Sequence, residues 1–451
     1  MKGTKNNDIF IAFLSLLYLF IFTEFSTIEC FGISLFIYVL FRFLNNLGNT
    51  IPVREFAGFL LTLQYIITPL ITYRYLNNDG LFVMDMPEQD YFSYIVPASF
   101  AFISGLFYPY KRKRLSDNNF SDDLNIFEES RYKTGIYLIV IGFVAKFAGA
   151  FLPGSLSFIF YLLKQTTFIG ILYIMFSGNK NWGTWFGVVM FLFVLEIFAK
   201  AVFYDLFVWG GFMSMYLFIK YKKSLRFKII AFSAGLFLAY FIQSVKFEYR
   251  DIVWANKNVN TFDAFVQVSS KSLASEKGFF SNDKIDMFVS RLNFGWIMAK
   301  VLNQVPKHEP FVNGELFKND IAAVLLPRFI ATNKTKVGGK ENREKFTKYT
   351  GRILQKGTTI RIGIIADGYI NFARTGSFIF MFLLGFFFNF VFYKFNILAQ
   401  LNPNILLWLP FSFSYVVRLS DFVVLMNFFI KATLLIMLLF WASKKFFNVK
   451  L

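Results

Sequence analysis

Long apolar stretches alternate with short polar connections along most of the chain, and one long polar stretch interrupts them. Most apolar stretches approach the roughly 20 residues that an α-helix needs to cross a bilayer. The predicted spans are 9–23, 29–47, 56–74, 91–108, 135–152, 155–176, 183–201, 203–219, 228–245, 376–395, 403–418 and 421–443. The pattern therefore predicts an all-α polytopic membrane protein with about twelve transmembrane helices.

The polar stretch divides the chain into three parts. Residues 1–245 hold the first nine predicted spans, 246–375 form one large loop, and 376–451 hold the last three spans. Apolar spacing within the loop predicts an amphipathic helix over 283–304, which Pro306 ends, and a short helix over 314–326. The glycine-rich stretch from 331 to 363 predicts an irregular loop.

Composition supports the membrane class. The 451 residues are 56% hydrophobic and only 17% charged, against about 25% charged in an ordinary soluble domain. The formal net charge of +19 flanks the apolar spans instead of forming one soluble basic face, so nucleic acid is not expected as a partner. A single cysteine, Cys30, excludes an internal disulfide.

Charges in the short loops predict the orientation. Basic residues cluster in alternate loops, at Arg42 and Arg54, at 111–114, at Lys180 and at 220–228, whereas the loop at 79–90 is acidic. The positive-inside rule then places both termini in the cytoplasm and the 246–375 loop outside a bacterial inner membrane. That loop carries 21 Lys and Arg against 12 Asp and Glu, so it suits anionic headgroups or a phosphate-bearing ligand. The first span follows Lys2 and Lys5 and has no small-residue cleavage site, so an uncleaved helix is expected.

Most motifs of enzyme chemistry are absent from the sequence. It has no Walker loop, no dinucleotide-binding glycine motif and no histidine cluster for a metal. The only histidine, His308, lies in a turn between Pro306 and Pro310, where an inert exposed histidine is the more common case. A Ser/His/Asp triad therefore has little support.

Charged residues at the predicted outer surface are the remaining candidates. In the loop these are Arg291, Arg328, Arg352, Arg361, Arg374, Glu315, Asp320 and Asp367. Arginine can hold a phosphate as a planar fork. Near the outer ends of the spans lie Arg74, Lys146, Glu196, Lys200, Asp205, Arg418 and Asp421. Such groups face a cavity, pair with each other or extend to the headgroups, and for Arg418 and Asp421 function and simple ion pairing both stay open.

Asp367 stands apart from the other loop carboxylates. It lies between Ile364-Ile365-Ala366 and Gly368-Tyr369, just before a predicted span, where burial would make it a better base. It could equally cap a helix that begins near Gly368. Glu315 and Asp320 fit the start and the exposed face of a short helix, so we prefer Asp367 as the proton acceptor.

Several short motifs in 285–376 resemble those of O-antigen polymerase-like proteins, the oligosaccharide repeat-unit polymerases of bacterial surface polysaccharides. They are Leu326-Pro327-Arg328-Phe329, Asn333-Lys334, Gly338-Gly339, 346–351 (FTKYTG), Gly357-Thr358-Thr359 and 367–372 (DGYINF). The chain departs from the pattern in carrying Asp367 and Gly368 where relatives tend to have Glu and another small residue. It also has Ala373 where they tend to have Gly.

The resemblance implies a glycosyltransferase that polymerises oligosaccharides carried on polyprenyl pyrophosphate, for O-antigen or a similar lipopolysaccharide component. Catalytic roles would fall on Asp367, Arg328 and Arg361. Substrate-binding roles would fall on Arg291, Arg352, Arg418, Asp421, Tyr369 and Asn371. Membrane lipids, a flippase and a chain-length regulator are the implied partners, and no cofactor is expected. A ligase that transfers finished glycan and a transporter of lipid-linked sugars remain the alternatives.

Overall fold

The structure is a computed structural model of the 451-residue chain. It describes residues 7–76, 82–109, 124, 129–149, 151, 157–255, 259–274, 279–325, 339–355, 358, 360–447 and 451. Within these residues the secondary structure is helical, with one isolated bridge between Leu47 and Thr50, which confirms the all-α prediction.

A first group of helices lies before the polar stretch of the chain. They are α1 (Asn7–Phe22), α2 (Thr27–Asn46), α3 (Val53–Tyr75), α4 (Glu88–Leu106), α5 (Glu129–Ala148), α6 (Ser157–Met175), α7 (Trp182–Lys200), α8 (Tyr204–Tyr221) and α9 (Leu225–Ala255). The polar stretch holds α10 (Thr261–Leu273), α11 (Asn282–Leu292), α12 (Gly295–Gln304), α13 (Glu315–Leu325) and α14 (Lys340–Thr350). Then follow α15 (Ile364–Ala399), a 3₁₀ helix (Pro403–Trp408), α16 (Leu409–Phe413) and α17 (Phe422–Phe447).

Seven of these helices are long and apolar enough to cross a membrane, which is the property of a multi-pass membrane protein. They are α2, α3, α6, α7, α9, α15 and α17. Helices α1, α4, α5 and α8 occupy four more of the predicted spans but are shorter or less apolar. The helix–helix core is closely packed: a Cβ on Gly105 of α4 would lie 2.2 Å from the Phe382 carbonyl oxygen of α15.

The predicted span at 403–418 is not a continuous helix. Pro403 and Pro410 divide it into the 3₁₀ helix and α16, and turns follow over 414–419. Its start lies beside the C-terminus, since the Asn402 side-chain amide donates to the Leu451 carbonyl. Its end lies beside the start of α15, where the Ile364 amide donates to the Leu419 carbonyl (3.3 Å). The segment therefore returns along the length of α15 in short pieces.

The large loop is more helical than predicted. The single helix expected over 283–304 is two helices, because the backbone at Asn293 is extended and the Phe294 amide donates to Gln64 of α3 (3.1 Å). The short helix over 314–326 is confirmed as α13. Within the stretch predicted to be irregular, residues 340–350 form α14, and 326–338 lie outside the described residues.

The last part of the predicted loop belongs to a helix. Helix α15 begins at Ile364, twelve residues before the predicted span, and a non-helical residue, Ala373, bends it (φ 56°, ψ −167°). The 364–371 segment is buried, with hydrogen bonds to α13 and to the start of α17. The helix therefore begins earlier than the predicted span, and the candidate residues of this segment lie on a helix.

Candidate carboxylate cluster

Two buried aspartates link the starts of α15 and α17. One Asp421 carboxylate oxygen accepts the amide of Gly363, the residue before α15, at 2.8 Å. One Asp367 carboxylate oxygen accepts the amide of Phe422, the first residue of α17, also at 2.8 Å. Each helix thus presents its positive N-terminal end to the carboxylate of the other helix.

This exchange corrects the predicted alternative for Asp367. The aspartate lies in the first turn of α15, which begins at Ile364, so it does not cap a helix that begins near Gly368. Its carboxylate serves α17 instead. Asp367 therefore has a structural role, because its carboxylate joins the first turn of α15 to the start of α17.

Two cations partner these carboxylates. The Lys345 ammonium of α14 lies 2.6 Å from the second oxygen of Asp367. The Arg361 guanidinium lies 3.7 Å from the second oxygen of Asp421. The Lys345 side chain is 19% exposed and that of Arg361 is 31% exposed, so both cations reach the surface of the cluster while the two aspartates do not.

A third carboxylate, Asp320 of α13, completes the cluster. Asp320 is only 9% exposed, and it lies one helical turn from Phe317, whose ring packs 4.4 Å from that of Phe422. Among the residues that the structure describes, Asp320 makes no hydrogen bond and no ion pair. It is therefore the member of the cluster with oxygens still available to a ligand. We call Asp320, Lys345, Arg361, Asp367 and Asp421 the carboxylate cluster.

The charges within the cluster act on one another. Burial raises the pKa of Asp320 to about 7; the ammonium of Lys345 opposes this shift, and the charges of Asp367 and Asp421 add to it. Burial alone would lower the pKa of Lys345, but the three carboxylates around it raise that pKa overall. Burial likewise raises the pKa of Asp421, against the attraction of Lys345. The cluster can therefore hold or release a proton near neutral pH, at Asp320.

The surroundings of the cluster come from both membrane helices and loop helices. The middle of α3 contains a π-helical turn, Leu63–Ile67, a feature that often accompanies functional sites. The Tyr65 hydroxyl of this turn lies close to Gly363. Helix α12 packs on the same part of α3, where the Asn293 side-chain amide donates to the Thr72 hydroxyl (2.9 Å). The loop helices therefore press on the bundle and enclose the carboxylate cluster.

Two other predicted substrate-binding residues are buried beside the cluster in packing roles. The Tyr369 hydroxyl donates to the Val305 carbonyl at 3.2 Å. The Asn371 side chain accepts the Phe317 amide at 3.0 Å and donates to the Asp367 carbonyl at 2.9 Å. Asn371 thus joins α13 to α15 and holds Asp320 and Asp367 on facing elements.

Arg418 and Asp421 do not pair with each other, although they lie three residues apart. The Arg418 guanidinium bonds to Asp205 at 2.6 Å and lies over the ring of Tyr415, whereas Asp421 faces Arg361. Simple ion pairing between the two, one of the predicted alternatives, is therefore wrong. Arg418 belongs to a neighbouring aromatic site.

Two further predicted arginines lie over aromatic rings. Arg291 is placed over the ring of Phe82 (5.0 Å), and Arg352 over that of Trp296 (5.5 Å). Arg328 lies outside the described residues. His308 lies in an exposed turn. Of the nine predicted site residues, the structure brings Asp367, Arg361 and Asp421 together, with Tyr369 and Asn371 next to them.

Sequence reasoning missed Lys345 and misplaced Asp320. Lys345 was not among the predicted candidates, and Asp320 was assigned to an exposed helix face. A helical spacing marks both: Asp320 repeats with Phe317, Ala323 and Val324, and Lys345 lies between the buried Asn342 and Tyr349. The helical periodicity could therefore have predicted that both residues lie on buried helix faces. It could not have predicted which residues they contact.

The fold and cluster together define a class: an all-α, multi-pass membrane protein whose loop helices cover a buried group of carboxylates and cations. Within that class the chain belongs to the family described as Domain of unknown function (DUF8712), whose model matches residues 10–446. No curated protein and no solved structure matches the chain. Among the described residues, no group of three or more His, Cys, Asp or Glu side chains is arranged to hold a metal ion.

Proposed function

We propose that the protein is an oligosaccharide repeat-unit polymerase that acts on glycans carried by polyprenyl pyrophosphate. The observation that carries the proposal is the carboxylate cluster. In it Asp320, a buried carboxylate with no hydrogen bond among the described residues, accompanies the cations Lys345 and Arg361, which pair with Asp367 and Asp421. Glycosyl transfer to a sugar hydroxyl needs such a proton acceptor, and departure of a pyrophosphate needs nearby positive charge. The resemblance of 285–376 to O-antigen polymerase-like proteins supplies the substrate class.

The reaction needs a proton acceptor and positive charge at the leaving group. The bond between the sugar C1 and the donor pyrophosphate breaks, and a bond from C1 to the acceptor hydroxyl forms. The hydroxyl proton passes to Asp320, which replaces Asp367 as our preferred base because Asp367 already accepts the Phe422 amide and contacts Lys345. The charge left on the polyprenyl pyrophosphate is stabilised by Arg361, and in our proposal by Arg328.

The proposed orientation follows from the loop charges. Twelve crossings, with 403–418 as a broken one, would place both termini in the cytoplasm and the 246–375 loop outside. A cysteine at Lys340, whose side chain is 79% exposed, should then react with an impermeant thiol reagent on spheroplasts. The native Cys30 is buried and serves as the background control. Labelling only after the membrane is opened would reject this orientation and with it the proposed reaction.

The direct test uses the full chain in proteoliposomes with purified lipid-linked repeat units. A ladder of products is expected for a polymerase. One transfer to a different acceptor would instead identify a ligase, and movement across the bilayer without a new glycosidic bond would identify a transporter. Either of these results overturns the proposal.

Variants of the cluster make the test specific. Asp320→Asn should stop elongation, because an amide cannot accept the proton. Arg361→Lys keeps a charge but loses the planar fork, so elongation should fall at least roughly tenfold. Arg343→Lys, on the open face of α14 beside Lys340 and Glu344, is the matched control and should elongate normally. Normal ladders from Asp320→Asn would remove the carboxylate cluster from the mechanism.

A further inference from the structure

A second cluster of charged residues lies among helices that the proposed reaction does not use. Cations outnumber carboxylates in this cluster, whereas carboxylates outnumber cations in the first. Glu196 of α7 contacts three ammonium groups: Lys146 of α5 at 2.9 Å, Lys200 of α7 at 2.6 Å, and Lys164 of α6. We call these four residues the lysine cluster. Three cations around one carboxylate leave an excess of two positive charges.

The helices bring the lysines together by close packing. A Cβ on Gly142 of α5 would lie 2.1 Å from the Thr167 hydroxyl of α6 and 3.0 Å from the Lys164 carbonyl. The missing side chain thus lets α5 approach α6, and Lys146 follows one helical turn after Gly142. The convergence is a consequence of the backbone packing and does not depend on flexible side chains alone.

The lysine cluster opens toward the lipid side of the bundle. Helix α7 is little covered by the part of the chain that the structure describes, since only 11% of its most apolar stretch is buried. The apolar residues beside the cluster are exposed as well, among them Phe147 (66%) and Leu195 (43%). The Lys200 side chain is 62% exposed and that of Lys146 is 34% exposed, so a ligand can reach both ammonium groups.

The position along the helices matches the boundary between hydrocarbon and headgroups. Lys146 and Lys200 lie in the last turns of α5 and α7. Isolated lysines there would extend separately to the interface. Lys146, Lys164 and Lys200 instead converge on Glu196, in spite of their mutual repulsion. A site that gathers uncompensated cations at this depth fits an anion held at the membrane surface.

We propose that Lys146, Lys164 and Lys200 bind the phosphate of an anionic membrane lipid, with its acyl chains along the exposed apolar faces of α5 and α7. Glu196 holds the three ammonium groups in place. This inference does not depend on the proposed glycosyl transfer, since any phosphate-bearing lipid headgroup satisfies it.

Retention of lipid by the full-length protein in detergent tests the proposal, with native mass spectrometry as the measurement. Wild-type protein should retain phosphatidylglycerol at least tenfold more tightly than the zwitterionic phosphatidylcholine. The Lys146→Gln, Lys200→Gln double variant should lose this preference. Lys271→Gln is the matched control, because Lys271 pairs with a single carboxylate, Glu248. This variant should keep the preference for phosphatidylglycerol.

Three results would overturn the proposal. The first is equal retention of the two lipids by the wild type, and the second is an unchanged preference in the double variant while its elution profile stays monodisperse. The third is displacement of phosphatidylglycerol by inorganic pyrophosphate at equal concentration, which would make the cluster a site for a free anion. Glu196→Gln provides an independent check: its amide oxygen can still accept hydrogen bonds from the ammonium groups, and the excess of positive charge rises by one. Phosphatidylglycerol retention should therefore persist, and its loss would also count against the site.

Discussion

The carboxylate cluster and the lysine cluster are built from the same kinds of side chain with opposite balances. The first has three carboxylates and two cations, and the loop helices enclose it. The second has three cations and one carboxylate, and it opens on exposed apolar helix surfaces. Both clusters contain ion pairs, so ion pairs do not distinguish them. The sign of the excess charge and its exposure do: the first cluster suits proton transfer and the second suits anion binding.

Burial explains why the two excesses have different consequences. Carboxylates taken out of water and placed near each other favour their protonated forms, and this gives Asp320 a pKa of about 7. Ammonium groups at a membrane surface keep their charge and can attract an anion. Variants that change burial or charge balance in one cluster and not in the other test this distinction.

The largest effect is expected from Lys345→Met. The change leaves Asp320, Asp367 and Asp421 with Arg361 as their only described cation, so the free energy of unfolding should fall by about 3–5 kcal/mol at pH 7.5. Thermal unfolding of the detergent-solubilised protein measures it. The deficit should shrink at pH 5, where Asp320, with a pKa of about 7, is protonated and no longer adds to the unbalanced charge.

Lys348→Met on the same helix is the control for that variant. Lys348 is 53% exposed and lies 3.6 Å from Glu309, so its loss should cost less than about 0.5 kcal/mol. Equal stability of the two variants would mean that the carboxylate cluster does not depend on its central cation.

The second effect is a pH dependence that belongs to Asp320. Its folded-state pKa of about 7 lies above the usual value of 3.8, so between pH 4 and 7 the folded state binds more protons than the unfolded state. This group therefore makes stability fall as pH rises through that window. Asp320→Asn should flatten the fall and raise stability at pH 8 by roughly 1–3 kcal/mol.

Melting temperatures from pH 4.5 to 8 measure that slope, with Glu344→Gln as the control. Glu344 is 62% exposed, and its replacement should leave the slope unchanged. If Asp320→Asn and wild type have parallel profiles, then the cluster does not raise the pKa of Asp320.

Hydropathy predicted the membrane helices of this protein better than it predicted the carboxylate cluster. Seven predicted spans are long apolar helices because an apolar helix is favourable in lipid whatever its neighbours are. The start of α15 was missed because Asp367 and Arg374 make 364–375 look polar, and their partners on α17 and α4 are distant in sequence. Hydropathy is averaged over neighbouring residues in the sequence, so it cannot predict pairings between distant ones.

The candidate residues show the same limit. Asp367, Arg361 and Asp421 were recognisable as charges beside apolar segments, and they do converge. Lys345 and Asp320 were not, because their burial results from the packing of α13 and α14 on the bundle. A charged residue on an amphipathic loop helix looks solvated until its partner helix is known.

A third effect, of similar size, is expected from Gly142→Ala beside the lysine cluster. The new methyl group would meet Thr167 and the backbone of α6, so we expect a loss of about 1–3 kcal/mol and a wider gap between Lys146 and Lys164. Phosphatidylglycerol retention should therefore fall together with thermal stability. Gly187→Ala on α7, where nothing lies within 4 Å, is the matched control and should preserve both.

The smallest effect is expected where a pair is balanced and open to solvent. Lys271 and Glu248 are 72% and 47% exposed and lie 2.6 Å apart, with one charge of each sign. Such a pair contributes about 0–0.5 kcal/mol, since water competes for both groups and ordering two long side chains opposes the attraction. A double-mutant cycle of Lys271→Gln and Glu248→Gln, followed by thermal unfolding at low and high salt, should give a coupling energy within that range. A coupling above about 2 kcal/mol would show that exposure alone does not weaken ion pairs in this protein, and the contrast drawn between the two clusters would then have to rest on charge balance only.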